Sequence, residues 1–509
     1  MAKPLPCPTD VDQLQGQAED LQRAQRAGEP EALARIAEHL PRLGGRPAAA
    51  AAAGELSPSE ALLVIAREHG FSSWPKLRDF VAALGTAASE PLQAFTEAVT
   101  SGAPASLRAL LTEHPALRAA LDEPLFGFCA PAVVAAKAKL AVVDVLLEHG
   151  ADINARSQWW AGGFGVLDGL EPEAAAPLIE RGARVDIHAA AALGQIEGVA
   201  AFLQRDPGLA NARGGDGKRP LHVARTVEII DLLLRHGADI DARDADHLAT
   251  PAQYRVRERD LCRHLIARGA AVDIFMAAAL GDLELARTVL DQDPGCVTAR
   301  IGDDGYPPVP QAPGLHIYAY VMAPYHTPHQ VAARLAPGAL YDLLLERSPA
   351  TCRLLAAFDR ADAQAVAALL GEHPDLLGRL TPGDRRALAL AAWDNQLDAV
   401  RVMLDAGMDP HAEGPEASTA LDRAAWHGYA PIVALLLQRD PEPPLRHRNA
   451  HGATPLGACL HGSLHAWHSD GDHAAVAEML LAAGSPRPDH ERASAAVLAV
   501  LRRHAPGAP

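Results

Sequence analysis

The sequence is poor in the residues and segments that several protein classes require. Its six cysteines, at 7, 129, 262, 296, 352 and 459, include no CxxC pair, so we expect neither a disulfide framework nor a cysteine zinc site. No apolar run approaches the ~18–20 residues that a membrane-spanning helix needs. The first residues, MAKPLPCPTD, lack the apolar segment of a signal peptide. The sequence therefore predicts a cytoplasmic, soluble protein without a membrane partner.

Positive charge is also scarce. The chain has 46 basic and 63 acidic residues, a net charge of −17. Such an acidic chain is poorly suited to phosphate backbones, so we expect no nucleic-acid partner. Aromatic residues make up only 4% of the chain, whereas hydrophobic residues reach 49%. This content is typical of a folded protein rather than a disordered one.

Motifs for catalysis are absent as well. The sequence has no nucleophile elbow, phosphate loop or dinucleotide fingerprint. The glycine-bearing segments GGFG (162–165) and GDDG (302–305) lack the strand, turn and helix that phosphate-binding motifs require. We therefore predict no enzymatic activity and no cofactor.

Internal repetition is the most informative feature that the chain does have. LLEHGADINAR at 146–156 returns as LLRHGADIDAR at 233–243, 87 residues later. The segments that begin at Ala183 and Asp206 return at the same offset. Smaller units divide this duplication, and His373, Gly407 and Asp440 end successive units 34 and 33 residues apart. A period near 33 predicts stacked repeats of paired helices.

Local signals within the units agree with paired helices. Glycine after LLEHG supplies the left-handed conformation that ends a helix. Thr-Pro at 250–251, 327–328 and 454–455 predicts helix starts, with Thr as the cap and Pro in the first turn. Alanine pairs such as Ala391–Ala392 and Ala424–Ala425 allow neighbouring helices to approach closely.

These segments resemble the ankyrin repeat family, whose pattern is roughly DxxGxTPLHxAAxxGxxxVVxLLLxxGADVNA. The best matches are KRPLHVA (218–224), VEIIDLLLRHGADIDARD (227–244) and STALDRAAWHGYAPIVALLL (418–437). The resemblance covers about residues 91–505 and extends to a bacterial subgroup with a leader like AREHGFSSWPKL. It implies an all-α ankyrin-repeat solenoid of stacked helix-turn-helix units with short β-hairpin loops. The compressed units 185–206 and 272–293 leave no room for a hairpin, so their helices should join directly.

Two regions are predicted. Residues 1–90 form an N-terminal helical cap with an alanine-rich linker, and 91–509 form the repeat array. Insertions interrupt the array at about 305–327 and 462–475. The first insertion carries Tyr306, the proline-rich PPVPQAP and the alternating LHIYAYV (315–321), which predicts an extended strand.

Candidate binding residues follow from the resemblance, because in ankyrin repeats the two positions after the alanine pair face the concave groove. Phe358, Trp393 and Trp426 would form an apolar row there. The full set of predicted partner contacts is Phe358, Asp359, Trp393, Asp394, Trp426, His427 and, on the first insertion, Tyr306, Tyr318 and Tyr320. The alternative that the two tryptophans pack between units stays open, and Trp159–Trp160 is a further candidate surface.

The second insertion gives an alternative function. His461, His465, His468 and His473 lie there with Asp470 and Asp472, and converging side chains of this kind can hold Zn²⁺. No HExxH motif accompanies them, so we predict no metal site, and a metal- or small-molecule-dependent activity at 461–473 is the alternative. The leading prediction is an intracellular interaction module or scaffold for an unidentified protein partner.

Overall fold

The computed structural model describes residues 11–40, 56–68, 73–78, 90–302, 315–466, 471–487 and 492–504. Regular structure in these ranges is helical, and no strand occurs among them. The predicted all-α class is therefore confirmed. The chain divides into two compact units, Met1–Ala271 with Pro310–Ile317, and Val272–Val309 with Tyr318–Pro509.

The first unit begins with three helices that pack on one another. Their bounds are Val11–Arg26, Pro30–His39 and Pro58–Glu68. Ser57 precedes the third helix, and its hydroxyl lies 3.3 Å from the Glu60 amide that it caps. Buried leucine, isoleucine, valine and alanine side chains between 14 and 77 form their core. A cap on the first repeat remains a prediction for residues 1–90.

The rest of the first unit is built from pairs of short helices. These are Glu90–Ser101, Pro104–Glu113, Ala132–Ala135, Leu140–Glu148, Pro172–Glu180, Ile187–Ala192, Ile196–Arg205, Pro220–Val223, Val227–Arg235, Pro251–Tyr254 and Arg259–Ala267. Short 3-10 turns lie at Pro115–Ala120, Gly127–Cys129, Pro207–Asn211 and Gly215–Gly217. One core of buried apolar side chains runs from Phe95 to Leu193.

The second unit continues the same arrangement. Its helices are Ile274–Leu280, Leu283–Gln292, Tyr318–Val321, Pro328–Leu335, Ala339–Glu346, Ala350–Asp359, Ala363–Glu372, Pro382–Arg385, Ala387–Trp393, Leu397–Asp405, Ala420–His427, Ala430–Arg439, Pro455–His465, His473–Ala482 and Ala495–Arg503. Short 3-10 turns lie at Pro294–Thr298, Leu376–Arg379 and Pro415–Ala417. A second core extends from Leu354 to Leu501.

The predicted helix starts and stops are present. The Thr250 hydroxyl accepts the Gln253 N–H at 3.4 Å, and the Gln253 side chain accepts the Thr250 N–H at 2.9 Å. Thr327 and Gln330 form the same reciprocal cap. Gly150 ends its helix at φ 97°, a left-handed conformation that costs glycine little.

The two compressed units join their helices directly, as their spacing predicts. Asp186 follows Gly182 by four residues and caps the next helix, accepting the Ala189 N–H at 2.8 Å. Asp273 caps the equivalent helix, accepting the Met276 N–H at 2.9 Å. Elsewhere a short loop separates the units, and Gly214 N donates to Lys218 O at 2.8 Å to close one of them.

The strand predicted for residues 315–321 is wrong. Tyr318–Val321 is a helical turn. Tyr318 is fully buried, and its hydroxyl donates to Asp273 at 2.8 Å. Its ring also lies 5.9 Å from that of Phe275. The alternating pattern of residues 315–321 did not indicate these buried contacts of Tyr318. Tyr306 and PPVPQAP lie outside the described residues.

Candidate functional site

The first helices of two successive repeats in the second unit carry a tryptophan at equivalent positions, Trp393 and Trp426, whereas the next repeat has Leu460 there. Ala387–Trp393 packs beside Ala420–His427, which packs beside Pro455–His465. The last pair is especially close, because a Cβ added at Gly462 would lie only 1.9 Å from the Trp426 carbonyl oxygen. Glycine at this position therefore sets the distance between the two helices.

The tryptophan of the first of these helices is covered by a cation. The Arg423 guanidinium lies 4.5 Å from the centroid of the Trp393 ring, within the range of a cation–π interaction. Arg423 also donates to the Pro415 carbonyl at 2.6 Å. The His427 ring meets Trp393 edge-on at 4.3 Å. Trp393 is half-buried, so part of its surface faces solvent.

The next tryptophan continues the row. Trp426 is half-buried, and the ring of the exposed His461 stacks on it at 5.0 Å. The His465 ring lies a further 4.3 Å from that of His461. Partial burial and the nearby His465 lower the pKa of His461, which favours its neutral form. We call Trp393, Trp426, His461 and His465 the C-terminal aromatic row.

The structure separates the other predicted contact residues by burial. Phe358, His427 and Tyr318 are fully buried, whereas Tyr320 is 64% exposed. Asp359 accepts a hydrogen bond from Gln330 at 2.9 Å. Trp393 and Trp426 therefore show part of their surface to solvent, whereas Phe358 and His427 are core residues.

Asp394 is engaged by two neighbours. It accepts a hydrogen bond from Arg334 at 2.8 Å, and His326 lies 3.7 Å away. Burial disfavours the carboxylate, but these hydrogen bonds outweigh that cost and lower the pKa of Asp394. It therefore stays ionised next to Trp393.

The histidines of the second insertion do not all converge. His461 and His465 belong to the aromatic row, but His473 Nε2 donates a hydrogen bond to the Trp426 carbonyl oxygen at 3.0 Å. Because a carbonyl oxygen only accepts, this Nε2 carries a proton and has no lone pair for a metal. Asp472 caps the helix His473–Ala482. His468 and Asp470 lie outside the described residues.

A cavity in the first unit is a surface that the sequence did not indicate. It has a volume of about 1530 Å³, and Phe128, Phe164, Lys137, Lys218 and Arg225 are among its lining residues. Phe128 is 58% exposed. Its φ of 58° is a backbone conformation that is unfavourable for a residue with a side chain. A sequence signal existed, since Lys137 and Lys218 are two of only five lysines in the chain.

The aromatic rings beside this cavity contact one another. Phe128 meets Trp159 at 5.2 Å and Phe164 at 5.7 Å, both edge-on. The cations at its border are already paired: Arg225 lies 2.5 Å from Glu171, and Lys137 donates to the Asp168 carbonyl. The cavity thus offers an aromatic edge rather than free positive charge.

Comparison with known proteins supports the repeat assignment. Residues 216–245 match the ankyrin repeat family. The chain is also similar to the E3 ubiquitin-protein ligase XB3 of Oryza sativa subsp. japonica, with 39% identity over 80 residues. That similarity covers 16% of this chain and only 18% of the rice protein. The chain therefore contains an ankyrin repeat, and the matched segment spans less than a fifth of the relative.

Among the described residues, every helix is too short or too polar to cross a bilayer.

Proposed function

We propose that this protein is an intracellular interaction module or scaffold that holds a partner protein against the C-terminal aromatic row. The observation that carries the proposal is the half-buried pair Trp393 and Trp426 on neighbouring helices of successive units. Tryptophan is enriched among the residues that dominate binding energy at protein interfaces. The ankyrin repeat at 216–245 supports the same class of function.

Burial divides the predicted contacts into two roles. Trp393, Trp426 and Tyr320 would contact the partner, with Asp394 at the edge of the surface. Phe358 and His427 would hold the helices that carry the tryptophans, because both are fully buried. Tyr318 would likewise hold the turn that presents Tyr320. The net charge of −17 favours a basic partner, since complementary charge speeds association.

A second surface for the same function is the cavity of the first unit. Its exposed Phe128 and the adjoining Trp159 and Phe164 form an aromatic edge that a partner could cover. Exposed aromatic residues often anchor partners. The two surfaces lie in different units, so single substitutions distinguish them.

The test uses the partner captured on the full chain from cells that produce it. Once purified, the partner is titrated against wild type, the Trp393→Ala/Trp426→Ala double variant and Phe128→Ala. Loss of about 2 kcal/mol, or roughly 30-fold in affinity, is expected for the double variant. Phe128→Ala should bind as wild type does. Circular dichroism confirms that each variant is folded.

The opposite pattern contradicts the assignment to the aromatic row. If only Phe128→Ala loses affinity, the interface lies at the first unit's cavity. If a folded double variant binds as tightly as wild type, Trp393 and Trp426 serve packing between units instead.

A further inference from the structure

Two successive loops of the first unit bring three carboxyl groups together. Asp216 lies in the loop at 214–218, and Asp244 and Asp246 lie in the loop at 244–249. The loops are held side by side because Ala245 N donates to the Asp216 carbonyl at 2.8 Å. Asp216, Asp244 and Asp246 are only 7%, 2% and 8% exposed. Buried carboxylates require compensating charge or hydrogen bonds.

The protein compensates these carboxyl groups unequally. Asp244 is satisfied by the backbone, because it accepts the N–H groups of His247 at 2.8 Å and Ala249 at 2.6 Å. One Asp216 oxygen lies 3.2 Å from the Lys218 ammonium. The other, Oδ1, is enclosed and has no hydrogen-bond partner among the described residues. A single lysine thus faces more than one buried carboxylate.

His247 completes the cluster. Its Nδ1 lies 2.8 Å from the Leu315 carbonyl oxygen, so Nδ1 carries the proton and Nε2 is left with the lone pair in the neutral ring. That Nε2 lies 3.8 Å from Asp246 Oδ2. Metal-ligating histidines commonly donate their other N–H to a carbonyl in this way.

We propose that Asp216, Asp246 and His247 bind a divalent transition-metal cation, with Zn²⁺ as the best match. One potential ligand atom of each residue lies within 4.8 Å of the other two. The side chains are 10%, 12% and 13% exposed, so the site is enclosed. The enclosed Asp216 Oδ1 is a second observation that points to a missing positive partner.

The donor set and its dimensions favour Zn²⁺ over Ca²⁺ or Mg²⁺. Imidazole suits zinc, whereas the two lighter ions prefer oxygen ligands alone. Ligands about 2.0–2.1 Å from a tetrahedral Zn²⁺ lie about 3.4 Å apart. The 3.8 Å between His247 Nε2 and Asp246 Oδ2 therefore closes with a small side-chain movement. Water would complete the coordination.

The bound ion would connect the loops of two successive repeats, and Lys218 would compete with it. The Lys218 ammonium already occupies one side of Asp216 and would repel a divalent cation. Lys218→Met keeps much of the apolar stem but removes this charge. We expect the substitution to tighten Zn²⁺ binding, which a purely structural lysine–aspartate pair would not do.

The test is equilibrium dialysis of the full chain against Zn²⁺, with bound zinc counted by elemental analysis. Wild type should bind one ion at this site, and Asp246→Asn or His247→Gln should weaken that binding by at least about tenfold. His461→Asn/His465→Asn serves as the matched control for the exposed histidines of the second insertion, and it should keep the ion. Circular dichroism checks each fold.

Three results would overturn the proposal. The first is that the wild-type protein binds no equivalent of zinc, a result that can be interpreted without any variant. The ion could be lost in His461→Asn/His465→Asn but kept in Asp246→Asn, which would place it at the second insertion. Folded Lys218→Met could bind zinc more weakly than wild type, which would make the lysine part of the site rather than its competitor.

Discussion

Close packing of Pro455–His465 on Ala420–His427 makes Gly462→Ala a demanding test of the C-terminal repeats. The added Cβ would lie 1.9 Å from the Trp426 carbonyl oxygen and 2.8 Å from its carbon. Contacts of a real Cβ essentially never fall below 3.0 Å, so the helices must separate by about 1 Å. Overpacking of this kind costs about 1–3 kcal/mol.

Helix propensity works in the opposite direction and sets the net result. Alanine gains about 1 kcal/mol over glycine within a helix. We therefore expect Gly462→Ala to lower the free energy of unfolding by up to about 2 kcal/mol. Gly457→Ala in the same helix is the matched control. Its Cβ would meet Thr454 Oγ1 at 3.5 Å and Ala453 Cβ at 3.6 Å, so it should be neutral or stabilising.

Urea unfolding followed by circular dichroism measures both variants. Because repeat arrays can unfold in parts, hydrogen exchange of residues 455–465 provides the local measurement. Faster exchange in Gly462→Ala and unchanged or slower exchange in Gly457→Ala are expected. If Gly462→Ala is as stable as wild type and residues 455–465 exchange no faster than in wild type, the two helices are not held at the distance described here.

Two further predictions concern buried charge. Burial lowers the pKa of His222 to about 3 from 6.5, so the unfolded chain binds a proton that the folded chain does not. The free energy of unfolding should fall as pH decreases from 6.5 towards 3, by at most about 1.4 kcal/mol per pH unit for this residue. The free energy of unfolding is measured by urea titration at several pH values between 7 and 5. If it changes with pH equally in wild type and in a folded His222→Gln variant, the prediction is contradicted. Arg300 lies 2.6 Å from Asp384, with side chains 10% and 15% exposed, so Asp384→Ala should cost about 3–5 kcal/mol. Arg108 and Glu148 are also 2.6 Å apart but 50% and 51% exposed, so Glu148→Ala should cost less than about 1 kcal/mol; equal losses in denaturation would refute the role of burial.

The elements that the sequence predicted correctly depend on local chemistry. Thr250 caps its helix through Gln253 three residues away, and Gly150 ends a helix through its own φ. The period near 33 then predicts which helices pair. Signals of this kind require no knowledge of distant contacts, which is why the all-α class and the helix boundaries followed from residue patterns.

The elements that the sequence did not predict depend on contacts between distant positions. Tyr318 is buried where Asp273, 45 residues earlier, accepts a hydrogen bond from its hydroxyl. Its alternating neighbours suggested a strand because that partner was not visible in the pattern. Likewise, His427 and Trp426 are adjacent in sequence, yet one is fully buried and the other half-buried. The direction of each side chain depends on the neighbouring repeat.

The cluster of Asp216, Asp246 and His247 shows the same limit. Asp246 and His247 are neighbours, but Asp216 lies 30 residues away and the carbonyl of Leu315 orients the imidazole. No spacing typical of a metal motif connects these positions. Only the stacking of two loops brings their side chains within reach of one another.

The central claim is that a partner protein covers the C-terminal aromatic row. Hydroxyl-radical footprinting of the wild-type chain, with and without the purified partner, tests it without any substitution that could disturb folding. Oxidation of Trp393 and Trp426 should slow when the partner is bound, while Trp160, 49% exposed in the first unit, should react as before. Protection of Trp160 with unchanged oxidation of Trp393 and Trp426 would contradict the account.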